Sequence, residues 1–274
     1  MNRLDYCRRF FATLLGFILF GVAGVLFKVA LLPYTLKSTH GDVPRQLAAR
    51  RMIGRVWRFF VGYLQWSGVL SVTFRGAEKL GRGGQLILAN HPSLLDVVLL
   101  VSHAPDPNVL VKKDLVRNPS MSSQIRAAGY ISNDEGMEML EEIEAVFQSG
   151  QSLLIFPEGT RMPPGSKGRY KSGAARTAQL LEMDIVPVAL NSGEFWPKNS
   201  FLKHPGEISV IICPPIKHDS GSITELTAAI EETIESQMPR ITGRGPCYGG
   251  AKLSSEQQGS AVSVSYTHLR AHET

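Results

Sequence analysis

Cysteine is scarce: Cys7, Cys213 and Cys247 are the only three in 274 residues, far apart, odd in number and without a CxxC spacing. That excludes a disulfide framework, argues against a thiolate metal site, and leaves isolated reduced thiols of an intracellular domain as the plain reading. Charge is sparse too, at 19% of residues against 43% hydrophobic, which excludes disorder of the whole chain. There is no GxSxG elbow, and the nearest approach to a phosphate loop, Gly159 to Gly165, is one residue too long and followed by Ser166-Lys167 in the wrong order. A serine-elbow hydrolase and a nucleotide triphosphatase are therefore disfavoured. At 30.0 kDa the chain can hold one domain with a sizeable core and a short appendage.

Acidic residues are nearly missing from the start of the chain. Residues 1–60 hold ten Lys and Arg against two Asp and Glu, a net of +8 where the whole chain carries +5, so residues 61–274 stand at −3. The basicity belongs to the segment with the longest apolar run. This suits an anionic membrane surface better than nucleic acid.

That run is Phe10 to Phe27, eighteen residues without a charge, preceded by Arg3, Arg8 and Arg9 and followed by Lys28. Its length is borderline for a spanning helix, which needs about 20 apolar residues. Three readings stand: a span continuing past a snorkelling Lys28 towards Leu32, a re-entrant or interfacial hairpin, and a cleaved signal peptide. The third is disfavoured because no small-x-small site precedes a polar mature start. Basic flanks on both sides favour a catalytic domain on the cytoplasmic side of an inner membrane and leave the side of the N-terminus open. Beyond Pro33 and Pro44 comes RQLAARRMIGRVWRFFVGYLQWSG, in which Arg45, Arg50, Arg51, Arg55 and Arg58 mingle with apolar and aromatic residues. It reads as an amphipathic helix, either at the headgroup level with its arginines on phosphates or in the core with a solvated basic face.

From residue 69 the texture becomes strand-like runs, 69–74, 85–89, 109–112, 152–156, 185–190 and 208–213, alternating with helical stretches at 135–148, 173–182 and 222–237. This predicts an α/β fold, a mixed and mostly parallel sheet covered by helices, with an N-terminal membrane-associated helical segment. The expected division is an anchor over 1–43, a catalytic domain over 44–238 and a disordered tail over 239–274. The last twelve tail residues, SVSYTHLRAHET, stand apart in texture as translated read-through would; His268 and His272, four apart, make a weak metal pair.

Two strand ends carry chemistry. In QLILANHPSLLDVVLL, His91 lies one residue beyond a buried strand and a helix opens near Ser93, the kind of junction where α/β sites form. On one continuous helix, residues five apart point about 140° away from each other. His91 and Asp96 therefore pair only if His91 stands in the pre-helical turn, where Asp96 would fix its tautomer and His91 would take a proton from an attacking hydroxyl. A capping Asp beside an unrelated loop His is the alternative. After the strand SLLIF comes Phe156-Pro157-Glu158-Gly159-Thr160-Arg161, with a glycine that admits close backbone approach and an arginine suited to a phosphate. Lys171-Ser172-Gly173 then opens a helix whose N–H groups could also receive an anion. A turn with a solvated Arg is the alternative there.

These residues resemble the glycerophospholipid acyltransferase family, the lysophospholipid or 1-acylglycerol-3-phosphate acyltransferases. The family block NHxxxxD is matched by Asn90 to Asp96, FPEGTR by residues 156–161 without change, and the apolar run around a proline by Ile185-Val186-Pro187-Val188-Ala189-Leu190. The blocks stand in family order, and the resemblance covers about residues 45–238. It implies transfer of a fatty acyl group from acyl-CoA or acyl carrier protein to a lysophospholipid hydroxyl, with His91 as general base and Asp96 as its partner. Glu158, Gly159, Thr160 and Arg161 would bind the acceptor, and Pro187 would shape the acyl-donor pocket. It implies no cofactor and no metal; the partners are the acyl donor, a lipid acceptor and the membrane, with no nucleic acid.

The second family block departs from its pattern, reading Gly129-Tyr130-Ile131-Ser132-Asn133-Asp134 where an arginine usually closes it. The variant resembles a bacterial branch accompanying aryl polyene synthesis, so a different lipid or polyene-pathway acceptor is the alternative to lysophosphatidic acid. A non-enzymatic membrane lipid-binding protein would account for the basic N-terminus but has no need of both strand-end motifs.

Overall fold

Six apolar runs and one residue pair that no pattern announces become seven strands: β1 (Ser71–Arg75), β2 (Leu86–Ala89), β3 (Asn108–Val111), β4 (Ile131–Ser132), β5 (Leu153–Ile155), β6 (Ile185–Leu190) and β7 (Glu207–Ile212). The computed structural model describes residues 3–31, 33, 41–81, 83–104, 106–117, 121–133, 137–166, 168–197 and 203–242. The expectations for Cys247, His268 and His272 lie outside them, as does the tail beyond Thr242. The strands lie in the order β1-β7-β6-β2-β5-β3-β4, and each neighbouring pair is parallel except β6 with β7. Every residue of β2, β5 and β6 is buried. Strands covered on both faces gain nothing from polar alternation, which is why these runs read as uninterrupted apolar stretches.

The helices are α1 (Arg3–Leu26, continued by a π-helical turn Phe27–Leu31), α2 (Asp42–Trp66), α3 (Leu95–His103), α4 (Lys113–Arg117), α5 (Ser122–Ala128), α6 (Met137–Gln148), α7 (Gly173–Leu180), α8 (Ser192–Phe195), α9 (Ile223–Glu235) and α10 (Met238–Thr242). Alternation along the strands splits the core in two. Ile87, Leu154, Val186 and Val188 pack with Ile53, Phe60 and Leu64 of α2 and Leu99 of α3. Leu86, Leu88, Leu153 and Ile185 pack with Ile143 of α6, Ala178 of α7 and Leu226 and Ile230 of α9. A capping box between Ser222 and Glu225 starts α9.

On α2 the arginines divide. Arg50 is buried, its Nε donating to Ala128 O at 2.6 Å and its Nη2 to Gly129 O at 3.4 Å, with Nη1 on Gln151 Oε1. Arg58 donates twice to Ser102 O, at 3.1 and 3.0 Å, and Arg51 pairs with Asp106 at 2.7 Å. Arg50 and Arg58 thus take up free carbonyls at the C-terminal ends of α5 and α3. The expectation that the α2 arginines sit on lipid phosphates is corrected for Arg50, which is buried. Burial of Ile53, Phe60, Val61 and Leu64 makes α2 a core helix along that side.

The segment α1 to Val29 is long and apolar enough to cross a membrane by length and composition. It packs lengthwise on the domain. Arg9 donates to Gly68 O at 2.9 Å and Val69 O at 2.7 Å near its start; Tyr63 Oη donates to Ala12 O at 2.8 Å and Phe20 stacks on Trp57 at 5.1 Å in the middle; Gln124 Nε2 donates to Gly24 O at 3.3 Å near its end. Its outer stripe of Leu4, Phe11, Leu15, Ile18, Val22 and Val25 is exposed.

At the other end of the chain, residues 239–242 of the expected disordered tail are instead helical, in α10. Pro239 is accommodated in the first turn of α10, where a missing N–H costs nothing, and Ile241 is buried with its carbonyl accepting from Asn191 Nδ2 at 2.8 Å.

Candidate active site

Strands β6, β2 and β5 are neighbours and mutually parallel, so their C-terminal ends bring three turns to one edge of the sheet. The turns carry Asn90-His91, Phe156 to Arg161, and Asn191-Ser192. Asn90 joins two of them: its Oδ1 accepts from Leu190 N at 2.8 Å and its Nδ2 donates to Leu190 O at 2.9 Å.

Because α3 begins only at Leu95, His91 stands in the pre-helical turn, the condition under which it can face Asp96. His91 Nδ1 lies 2.9 Å from Asp96 Oδ2. The same Oδ2 accepts from Ser93 N at 2.8 Å, so Asp96 holds the turn and the imidazole together. Its other oxygen accepts from Ser93 Oγ at 3.1 Å and from Ser192 Oγ. The carboxylate is fully buried, whereas the His91 side chain is 16% exposed. Four donors on a buried carboxylate are what keeps a charge tolerable without solvent.

The two motif turns are in contact. The His91 ring stacks on Phe156 with centroids 4.2 Å apart, His91 N donates to Glu158 Oε1 at 3.3 Å, and Met162 N donates to His91 O at 3.0 Å. Burial pushes the Glu158 carboxyl up to about 7; the His91 N–H opposes this, while Glu235 and Asp96 reinforce it. Glu158 Oε2 is buried with no hydrogen-bond partner among the described residues. Gly159 has φ +66°, and a Cβ there would lie 3.2 Å from Lys171 Nζ. Glycine is thus favoured both by the left-handed turn and by the lysine laid over it. Thr160 is exposed and Arg161 partly so. Neither Arg161 nor Lys171 has an ion pair among the described residues.

Pro187 is not brought to the dyad. It lies inside β6 opposite Leu88, three residues before His91, roughly 10 Å back along the strand at 3.3 Å per residue. A proline is tolerated in this inner strand where pairing with β7 has just run out: the contact there is Cys213 N donating to Pro187 O at 2.9 Å.

Sequence reasoning missed Ser192. The available signal was Asn191-Ser192-Gly193, small polar residues at the end of a buried strand, the same setting as Asn90-His91. Gly193 lets α8 approach the histidine turn, since a Cβ there would lie 2.8 Å from Pro92 Cβ. The Ser93 and Ser192 hydroxyls are directed at Asp96 rather than at the imidazole, so neither makes the Ser–His contact of a nucleophile. Cys7 is on α1 and Cys213 follows β7, both away from the dyad. Among the described residues no group of three or more His, Cys, Asp or Glu is placed to hold a metal.

An imidazole backed by a buried carboxylate, at the C-terminal edge of a mostly parallel sheet, marks an α/β enzyme of the acid–base kind. The acyltransferase family model matches residues 71–191, from β1 to the residue after β6. A 1-acyl-sn-glycerol-3-phosphate acyltransferase of Pseudomonas aeruginosa is 26% identical over 206 residues, 71% of this chain and 80% of that protein. One of Cocos nucifera is 29% identical over 195 residues, 65% of this chain and 63% of its own length. The crystal structure of the 1-acyl-sn-glycerophosphate (LPA) acyltransferase PlsC from Thermotoga maritima shares the fold, with a TM-score of 0.72 at 20% identity, covering 87% of this chain and 100% of that one. An acyltransferase-family domain thus occupies residues 71–191 of this chain, and with that the reading as a non-enzymatic lipid-binding protein falls away.

Proposed function

We propose that this enzyme moves a fatty acyl group from a thioester, acyl-CoA or acyl carrier protein, to the free hydroxyl of 1-acyl-sn-glycerol-3-phosphate. The observation that carries the reading is the His91 Nδ1 to Asp96 Oδ2 contact of 2.9 Å in the turn at the end of β2. It leaves Nε2 as the nitrogen that takes the acceptor's proton. The alkoxide attacks the thioester carbonyl, the tetrahedral intermediate expels the thiolate, and the imidazolium returns the proton to sulfur. Asp96 stabilises the imidazolium throughout, and no acyl-enzyme is formed. Arg161, with Lys171 laid over Gly159, supplies positive charge for the acceptor phosphate. The relatives' printed activities support the same acceptor.

The enzyme works at the inner membrane with its catalytic part on the cytoplasmic side. Because α1 is held to the domain near both its ends, it lies along the surface with its exposed stripe in one leaflet; crossing the bilayer would drag the domain in after it. In this reading α1 and the turn after it form the anchor, and the catalytic part runs from α2 through α10.

The test is acyl transfer by membranes carrying wild type or His91→Ala, given acyl-CoA or acyl carrier protein and a panel of acceptors led by 1-acylglycerol-3-phosphate. His91-dependent phosphatidic acid is expected, with a loss of about 10²- to 10⁴-fold in the variant. Retained turnover would remove the base. The second-block stretch ending Ser132-Asn133-Asp134 favours one further reading, the same chemistry on another lipid acceptor; His91-dependent activity confined to such an acceptor would establish it. Arg161→Ala should raise KM for the phosphorylated acceptor and leave that for the donor, and equal losses for both would sink its phosphate role.

A further inference from the structure

We propose that Ser192 is a positioning residue of the catalytic dyad, its hydroxyl orienting Asp96 so that one carboxylate oxygen is reserved for His91. The inference rests on the reading of His91 as base. Ser192 is fully buried at the start of α8, 99 and 96 residues along the chain from the Ser93 and Asp96 it touches. Its Oγ reaches Asp96 Oδ1 and lies 2.8 Å from Ser93 Oγ.

The donors are divided between the two oxygens. Oδ2 receives His91 Nδ1 and Ser93 N; Oδ1 receives Ser93 Oγ, at 3.1 Å, and Ser192 Oγ. Ser93 Oγ in turn accepts from Leu95 N at 3.0 Å and from Ser192 Oγ at 2.8 Å, which leaves its proton for Asp96 Oδ1. Ser192 Oγ is the second hydroxyl on Oδ1, and it faces both Asp96 and Ser93. Without it, Oδ1 keeps one bond, the 3.1 Å contact from Ser93 Oγ, and the carboxylate is held on that side by a single hydroxyl. The position is built for this contact: Gly193 brings α8 against Pro92, and Asn191, just before Ser192, is tied to Ser209 N and Ile241 O, each at 2.8 Å.

Ser192 also bears on charge. A hydroxyl donating to Oδ1 draws negative charge from the side of the carboxylate that faces the imidazolium. Removing it leaves that charge on Oδ2, stabilises the protonated histidine, and moves the acidic limb of the pH–kcat/KM profile to higher pH. Among the described residues the charged groups hydrogen-bonded to His91 are Asp96 from α3 and Glu158 from the turn after β5, the latter through the His91 amide and itself raised to about 7. Glu158 is common to wild type and variant, so the difference between the two profiles isolates Ser192.

The experiment compares Ser192→Ala, Ser192→Thr and His91→Ala with wild type in the full chain, in membranes, with thermal melting of each. Ser192→Ala should fold, lose about 10- to 100-fold in kcat, the scale of one hydrogen bond to a charged group, keep both KM values within about twofold, and show the acidic limb displaced upward. Ser192→Thr, retaining the hydroxyl, should recover kcat if it melts like wild type. A folded Ser192→Ala with wild-type kcat and an unmoved limb would overturn the assignment, as would a rate loss matched by loss of folded protein. Should wild type itself show no His91-dependent transfer, the reading of the whole site fails; should it show such transfer while Ser192→Ala behaves as wild type, only the role of Ser192 fails.

Discussion

Individual side chains at the strand ends do two jobs each, and the consequences can be measured one residue at a time. Asp96 accepts four hydrogen bonds, two per oxygen. In Asp96→Asn, either orientation of the amide turns an NH2 towards two donors, so the dyad cannot be rebuilt; kcat should fall by about 10²- to 10⁴-fold, and a variant within tenfold of wild type would deny Asp96 its part. Glu158 offers a stability test. Its carboxyl, raised to about 7 by burial, is protonated in both folded and unfolded states below the ordinary value of 4.5. As pH climbs from 4.5 to 7 the unfolded chain ionises first, so folding stability is lost across that window and levels off above it. Glu158→Gln lacks this loss, and should become more stable than wild type relative to pH 4.5 by up to about 3 kcal/mol at pH 8. Denaturation midpoints followed from pH 4.5 to 8 would show parallel curves if the burial of Glu158 had no such effect.

At the scale of elements, α2 fastens the sheet's neighbours by their ends. Arg50 on the last carbonyls of α5 and Arg58 on Ser102 near the end of α3 are local solutions to a general problem, the unpaired carbonyls of helix C-termini. Arg50→Met would fill most of the volume and leave Ala128 O without its donor, Gly129 O keeping its bond from Asn108 Nδ2 at 3.0 Å, costing about 1–3 kcal/mol. Arg55, exposed on the same helix, should leave the melting temperature unchanged when replaced by Gln. Equal melting of the two variants would mean that the interior contacts of Arg50 contribute nothing. The contrast separates two uses of arginine that one amphipathic helix displays side by side.

For the whole molecule, the disposition of α1 decides how a 30.0 kDa enzyme meets a bilayer. Cys7 is exposed near the start of α1, and Lys28 lies beyond its end. In a Cys213→Ser, Cys247→Ser background, Cys7 in one variant and, with Cys7→Ser added, Lys28→Cys in another should react with a membrane-impermeant maleimide from the same face, the one carrying the catalytic part. Labelling from opposite faces would mean that α1 crosses.

Much of this was legible without coordinates. Continuous apolar runs announced strands buried on both faces, and helical phase alone required His91 to precede the helix if it was to meet Asp96. Ungapped blocks at 90–96 and 156–161 carried the family resemblance. These are local properties: period, run length and spacing are written within a few residues of one another. What the tertiary structure decided is everything that depends on which distant segments become neighbours. The order β6-β2-β5 sets Ser192 against Asp96 and Glu158 against the His91 amide. β4 is two residues long, too short to show a period, and exists because Leu110 offers it a partner. Arg50 and Arg58 on α2 reach helix ends that lie there to receive them, and α1 lies along the domain because its contacts are spread over its whole length. Local pattern records how a segment is buried; only the assembled sheet determines what it is buried against.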